Sequence, residues 1–239
     1  MSFSSKPFVS VVTPTYNRRR FIPFLLECFK EQDYPMSRME LVILDDGSDK
    51  IEDLIKTSGL TNIRYIAVDG KLNIGAKRNR LNKEAKGDII VCMDDDDYYP
   101  PERVAHVVKM LQSNQKYEIC GSSEIYMYYS DIQKIYRLGP YAKNHATNGT
   151  IAYRRSYIDN HEYDETVTHA EEVSFLNGYK EPLLQLDTFK VMLVMAHSEN
   201  TFDKKKLREN PSPIVRLTNM KVKDFIRKNA RVRTFFASA

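Results

Sequence analysis

Apolar and polar positions along the chain switch repeatedly between two periods. FVSVVT (8–13) is a β-branched run ending at Pro14, which predicts a first strand. Residues 20–32 set Phe21, Phe24, Leu25, Cys28 and Phe29 on one face of a helix. MELVILDDGS predicts a strand over 39–44 that closes on acids and a glycine. IEDLIKTSG reads as a short helix ending at Gly59, and NIRYIAVD (62–69) as the next strand. GAKRNRLNKEAK (75–86) is helical and stops at Gly87. DIIVCM is a fourth strand, and PERVAHVVKMLQSN a helix opened by Pro101.

This alternation predicts an α/β fold: a mostly parallel, doubly wound sheet with helices on both faces. Ligands of such sheets bind outside the carboxyl ends of the strands. Three polar clusters fall there: PTYN after the first strand, DDGS after the second and DDDD after the fourth. Beyond about residue 120 the pattern loosens. EIYMYYSD and KIYRLGPY suggest a hairpin, and NHATNGTIAYRRS (144–156) leads into another strand. The acidic pair Glu171 and Glu172 precedes a helix in VSFLNGY. The strand VMLVMAH (191–197) is expected to close the core, ending at His197.

A length of 239 residues fits one α/β domain or a domain with a small appendage. Hydrophobic residues at 42% and charged residues at 28% suit a globular core. No apolar run nears the roughly 20 residues that span a bilayer, and MSFSSKPFVSVV lacks a signal-peptide layout, so a cytoplasmic protein is expected. The three cysteines, Cys28, Cys92 and Cys120, have no metal or disulfide spacing and read as packed thiols. The net charge of +4 is uneven, with bases crowded into KKKLREN and RLTNMKVKDFIRKNARVR. That stretch suits peripheral contact with a membrane or phosphate-rich surface, or equally a solvated helix face. Nucleic acid is not an expected partner, since the charge is modest and strand-end acids repel phosphate.

The chemistry concentrates in DIIVCMDDDDYYPPER, where an apolar strand delivers four aspartates, Asp94 to Asp97, to one edge. Neighbouring carboxylates repel unless a cation neutralises them, and a hard divalent ion, Mg²⁺ or Mn²⁺, suits oxygen ligands and bridges to phosphates. The other reading is an exposed acidic loop, with Asp97 at the start of the following helix. His197 reads as a structural residue or as a further ligand. In LNIGAKRNR, Gly75 permits a turn, and Lys77, Arg78 and Arg80 form a basic helix start suited to a diphosphate or a base. The GxxxxGK[ST] and GxGxxG patterns are missing, which argues against a P-loop NTPase and a dinucleotide dehydrogenase.

Taken in order, VSVVTPTYNR (9–18), LVILDDGSD (41–49), NIGAKRNRL (73–81), GDIIVCMDDDDYYPPERV (87–104), HAEEVSFL (169–176) and AHSENT (196–201) resemble the family 2 glycosyltransferases of GT-A fold. The chain is similar to compact viral and bacterial members. The resemblance implies a Rossmann-like single domain. Residues 1–120 would be the nucleotide-sugar-binding half, 121–203 the acceptor and catalytic half, and 204–239 a basic helical tail. It implies a metal-dependent, inverting transfer of a sugar from a nucleotide-diphosphate donor, a UDP-sugar being favoured, to a hydroxyl of a glycan or other acceptor. By position, Pro14 and Tyr16 would line the nucleotide pocket with Thr15 and Asn17 beside them. Asp46 would bond the base, and Lys77 and Arg78 would approach the base or diphosphate. Asp94 and Asp95 would face the ribose and sugar, and Asp96 and His197 would hold Mn²⁺ or Mg²⁺. The usual Glu-Asp pair near the acceptor is here Glu171-Glu172, which puts Glu172 at the position of the base with a side chain one methylene longer. That departure leaves Glu171 and Glu172 both as candidates. It also keeps open a nucleotide-sugar-binding domain without turnover. A nucleotidyltransferase is the other alternative, disfavoured because PTYNRRR has no glycine.

Overall fold

The computed structural model describes residues 6–200, 204–209 and 212–238. In its first half, strands β1 (Val9–Thr15), β2 (Met39–Asp45), β3 (Ile63–Ala67) and β4 (Ile89–Cys92) alternate with helices. These helices are α1 (Ile22–Lys30), α2 (Glu52–Thr57), α3 (Ile74–Glu84) and α4 (Arg103–Ser113). Then come β5 (Ile119–Gly121), β6 (Ile125–Tyr129), β7 (Lys134–Leu138), β8 (Ala152–Arg154), α5 (Glu172–Phe175), β9 (Leu184–Gln185) and β10 (Leu193–Ala196). The chain ends with α6 (Lys205–Glu209), β11 (Val215–Leu217), α7 (Val222–Phe225) and α8 (Ala230–Ser238).

Seven strands form the main sheet in the order β3-β2-β1-β4-β8-β5-β9, and only β8 runs against the others. Successive strand residues point to opposite faces, and helices or loops cover both. Val9, Val11, Leu41, Ile43, Ile89 and Val91 pack on the side of α1 and α4. Val12, Val42, Leu44, Ile90 and Cys92 pack on the other side, against Leu81 and Ala85 of the α3 segment and against Tyr153, Tyr163 and Phe175. Two covered faces explain why these strands read as continuous apolar runs. Each such aliphatic side chain, fully buried, contributes roughly 1.5–3 kcal/mol.

Two expectations are corrected, and a third gains detail. β1 does not stop at Pro14 but runs to Thr15, with Pro14 paired to Leu44 of β2. Proline is tolerated because the ladder with β4 ends at Val12↔Cys92, so Pro14 has a strand on one side only. The strand ending before His197 packs in the core as expected, with Leu193, Val194, Met195 and Ala196 buried there, but outside the main sheet. β10 lies in a second, four-stranded sheet of order β10-β6-β7-β11, built on the expected β6–β7 hairpin. The basic stretch after residue 204 contains a strand as well as helices. Its Val222, Phe225, Ile226, Val232 and Phe236 are buried in the core, and Arg208 pairs twice with Asp131 at 2.7 and 2.8 Å.

All three thiols are buried, and burial pushes Cys28 and Cys120 up to about 12, which keeps them protonated. Among the described residues, no helix is long and apolar enough to cross a membrane.

Candidate active site

The ends of β1, β2 and β4 meet at one edge of the main sheet, because parallel pairing in register brings their loops together. The three loops are stitched by short polar side chains. Thr15 donates to Asp95 Oδ2 at 2.6 Å. Asn17 accepts the Asp49 N–H at 3.0 Å. Asn17 also adopts a left-handed backbone, with φ 53°. A side chain at Gly47 would come within 2.6 Å of the Asn17 nitrogen, so the turn needs glycine there. Asp45 accepts Gly47 N–H at 2.9 Å, Ile51 N–H at 3.2 Å and the Tyr65 hydroxyl at 2.7 Å, fixing the DDGS turn.

Asp46 is buried, accepts Leu72 N–H at 2.7 Å and forms an ion pair with Lys77. Beside it the half-exposed Tyr16 ring lies 4.6 Å from Lys71 Nζ and 5.3 Å from Lys77 Nζ. Cations over an aromatic face make an electropositive setting for a flat anionic ligand. Sequence reasoning missed Lys71, which lies outside the quoted motif.

The four aspartates have four different neighbourhoods. Asp94 pairs with Arg78 at 2.9 Å, and its backbone N–H donates to Tyr99 at 2.7 Å. Opposite, Gly149 leaves no room for a side chain, since a Cβ there would stand 2.9 Å from Asp94 Oδ2. Asp95 is buried against Asp96, and burial with that like charge pushes its carboxyl well up. Asp96 is held low despite burial by the hydrogen bond from His197 and the charges of Lys204 and Arg18. Asp97 does not start α4: its Oδ1 accepts Met195 N–H at 2.7 Å, tying the aspartate run to β10.

That tie brings His197 into place. Tyr98 and Leu193 exchange backbone bonds of 3.1 and 2.9 Å, extending the junction between the aspartate run and β10. His197 then presents Nε2 to Asp96 Oδ2 at 3.1 Å, its side chain 1% exposed. The Asn200 amide nitrogen stands 3.1 Å from the same oxygen and 3.0 Å from the same ring nitrogen. Arg18 lies 3.7 Å from Asp96 Oδ2. A carboxylate oxygen and an imidazole nitrogen thus converge on one spot. Mn²⁺ or Mg²⁺ accepts such a donor set when substrate phosphate oxygens supply further ligands. Among the described residues, no third His, Cys, Asp or Glu joins such a group.

Toward the second half of the chain, Arg78 reaches across the site. Its Nε donates to Glu171 Oε1 at 2.7 Å while Nη2 holds Asp94. The Asn148 amide, turned so that its oxygen faces Arg78 at 2.8 Å, donates to the Tyr163 hydroxyl at 2.8 Å. The first turn of α3 packs under residues 164–166, where Asn73 donates to Glu165 O at 3.1 Å. Glu171 and Glu172 are therefore not equivalent. Glu171 is buried and ion-paired at the N-cap of α5, just after Ala170 with its left-handed φ of 54°. Glu172 forms no ion pair among the described residues, and burial with the neighbouring Glu171 charge pushes its carboxyl up to about 7.

Sequence reasoning also missed Arg103. It is fully buried, and its Nη2 donates to the carbonyls of Thr150 at 2.9 Å and Ile151 at 3.1 Å, locking the turn that carries Gly149 beneath the aspartates.

Comparison with known proteins gives a consistent result. Residues 10–170 match the family described as glycosyl transferase family 2. An undecaprenyl-phosphate 4-deoxy-4-formamido-L-arabinose transferase of Pseudomonas syringae is 32% identical over 123 residues, 48% of this chain and 35% of that protein. The putative colanic acid biosynthesis glycosyl transferase WcaA of Escherichia coli is 28% identical over 166 residues, 65% of this chain and 56% of that protein. The chain covers only 35% of each of the first two curated relatives it matches. Among solved structures, TarS 1-349 of Staphylococcus aureus in complex with UDP-GlcNAc superposes with TM-score 0.63 at 17% identity, covering 92% of this chain and 64% of that one. The mannosyltransferase PcManGT of Pyrobaculum calidifontis, in complex with GDP-Man and Mn²⁺, gives 0.64 at 15% identity, covering 98% and 73%. These likenesses establish the GT-A fold.

Proposed function

The chain belongs to glycosyl transferase family 2, and from that premise we propose that it moves a sugar from a nucleotide-diphosphate donor to an acceptor hydroxyl with inversion at the anomeric carbon. A UDP-sugar is the favoured donor. One observation carries the reading: Arg78 joins Asp94 at the end of β4 to Glu171, leaving Glu172 beside them with its carboxyl raised to about 7. That is the range in which a carboxylate serves as general base near neutral pH.

In this reading the Tyr16 ring, flanked by Lys71 and Lys77, faces the nucleotide with Pro14, Thr15 and Asn17 around it. Asp46 is already engaged by Leu72 and Lys77, so a contact to the base exchanges one of those partners. Asp94 and Asp95 border the ribose and donor sugar. Glu172 takes the acceptor proton as the acceptor oxygen bonds to the anomeric carbon and the bond to the diphosphate oxygen breaks. A single displacement of this kind inverts the centre. Asp96 and His197 would hold Mn²⁺ or Mg²⁺, which supplies charge compensation to a departing diphosphate. TarS in complex with UDP-GlcNAc and PcManGT in complex with GDP-Man and Mn²⁺ support donor and metal by analogy of fold.

Calorimetry with UDP- and GDP-sugars, with and without Mn²⁺, followed by a donor-hydrolysis assay, tests the proposal. Metal-strengthened binding with slow hydrolysis of one donor is expected. Binding indifferent to metal sinks the metal role. Tight binding with no turnover in the presence of any hydroxyl acceptor favours a donor-binding domain of a larger synthase.

A further inference from the structure

Three arginines follow Asn17, and they are not used alike. Arg19 lies 3.6 Å from Asp49, pairs with Asp53 and donates to Lys50 O at 2.9 Å. Arg20 pairs with Glu199 at 2.7 Å. Both of these side chains are more than a third exposed. Arg18 is the reverse, with a side chain only 12% exposed and a buried Nη1 that has no hydrogen-bond partner among the described residues. The acids beside it stay beyond hydrogen-bond reach, Asp96 Oδ2 at 3.7 Å from Nη2 and Glu199 Oε2 at 4.0 Å from Nη1. Buried donors left short of acceptors are costly, so this guanidinium is under-used in the free chain.

Local structure fixes where it stands. The left-handed Asn17, φ 53°, turns the chain between Tyr16 and Arg18. Tyr16 thereby joins Lys71 and Lys77, whereas Arg18 comes to Asp96. Phe21 sets its depth: the Arg18 guanidinium lies 5.7 Å from that ring's centroid, and the same ring packs on His197 at 4.7 Å. Arg18 and His197 therefore flank one oxygen, Asp96 Oδ2, with His197 at 3.1 Å inside hydrogen-bond distance and Arg18 outside it. Glu199, the other acid in reach, is held by Arg20.

We infer, resting on the transfer reading above, that Arg18 binds the β-phosphate of the donor's diphosphate and meets the charge that grows there as the sugar departs. A donor with its base at Tyr16 and its phosphates at Asp96 and His197 brings its far phosphate against Arg18. A guanidinium matches phosphate oxygens through paired, charge-assisted hydrogen bonds, which Asp96 at 3.7 Å does not supply. When the bond from the anomeric carbon to the β-phosphate oxygen breaks, its electron pair stays on that oxygen. The contact with Arg18 therefore strengthens along the reaction, which is what favours the chemical step over mere binding. Without a nucleotide the same cation stands beside the oxygen that would face a divalent ion, and like charges repel. Arg18 thus acts in opposite directions, against metal alone and in favour of metal with diphosphate.

The test is calorimetry on the full chain and on Arg18→Met. Mn²⁺ is titrated alone. UDP or GDP, whichever the parent binds more tightly, and the matching monophosphate are then titrated in saturating Mn²⁺. Arg18→Met should bind Mn²⁺ alone at least about twofold more tightly. It should bind the diphosphate about ten- to a hundredfold more weakly, and the monophosphate less than about threefold more weakly. Arg18→Lys, which keeps the charge without the fork, should recover part of the diphosphate affinity. Melting curves without ligand check that the variants fold, and Arg18→Gln replaces Arg18→Met if the latter does not. In a folded variant, unchanged diphosphate binding, equal losses for both nucleotides, or Mn²⁺ binding that fails to tighten overturns the inference. Donor hydrolysis by the parent is followed in parallel. If no donor is hydrolysed or transferred while the opposed shifts hold, the transfer reading fails and Arg18 keeps its diphosphate. If a donor is hydrolysed while the shifts are missing, the Arg18 inference alone fails. A parent that binds neither diphosphate sinks both.

Discussion

The two halves of the molecule build their share of the site by different means. From β1 to α4, Thr15, Asp46 and Asp94 stand at the ends of strands whose register is fixed by parallel ladders, and helix α3 brings Lys77 and Arg78 to them. From β5 onward, His197 alone of the site groups named above directly follows a strand, β10, while the others come from turns and from α5, only four residues long, and long-range side-chain contacts hold them. Asn79 accepts Tyr163 N–H at 2.9 Å, and Arg78 binds Glu171 across 93 residues of sequence. The first half satisfies its own charges at Asp46 with Lys77, and Asp96 meets His197. The second half supplies Glu172, a carboxyl without an ion pair among the described residues.

The largest expected effect breaks the second half alone. Glu172→Gln should lower transfer by about 10²–10⁴-fold while leaving donor affinity intact; retained turnover moves the base elsewhere. Next, Arg78→Met cuts the link between halves and leaves the buried Glu171 and the half-buried Asp94 unpaired. It should destabilise the fold by about 3–5 kcal/mol, read as a lowered melting temperature. An unchanged melting curve would mean that Asp94 and Glu171 find other partners. In the first half, Asp96→Ala should remove at least about tenfold of the Mn²⁺-dependent gain in nucleotide-diphosphate binding without unfolding the chain. A full metal response in that variant dissolves the Asp96–His197 assignment.

A smaller effect is in pH. Glu172 must be ionised to act as base, so transfer should rise as pH climbs through about 7 and then level. Stability moves the other way. The folded state holds this proton above the ordinary carboxyl range and the unfolded state releases it, so stability falls between about 4.5 and 7. In Glu172→Gln the slope should become shallower by the share of one carboxyl, since the raised Asp95 and Asp97 keep theirs, and equal slopes in both proteins refute the raised carboxyl. The smallest effect concerns the basic end. With Arg208 spent on Asp131 and Arg231 on Glu27, only weak, salt-sensitive flotation with anionic vesicles is expected. Binding that survives high salt would show a stronger anchor than charge.

The first half is legible in the sequence because its signals are local. Period, Pro101 and Gly87 mark elements, and the strand ends announce Asp46 and Asp94 to Asp97. Division of labour among the aspartates is not legible, since four identical residues in a row differ only in what faces them. Asp97 illustrates this: its partner, Met195 N–H, lies 98 residues away. Arg18 is hidden among three successive arginines, and nothing local separates Glu171 from Glu172 until Arg78 is seen to choose one. Arg103 gives no signal at all, because a basic residue near the start of a helix is ordinarily solvent-facing, whereas this one is fully buried.

The span of Arg78 has a consequence for anyone recombining such domains. One guanidinium closes a circuit between a strand end of the first half and a loop of the second. A chimera that takes its second half from another family member inherits a seam at this residue. A donor segment lacking a carboxylate at 171 would leave the cation half-matched, and one lacking Asn148 would free the amide contact beneath it. Modules of this protein are thus exchangeable only as matched triplets of positions 78, 148 and 171, whatever sugars the parents use.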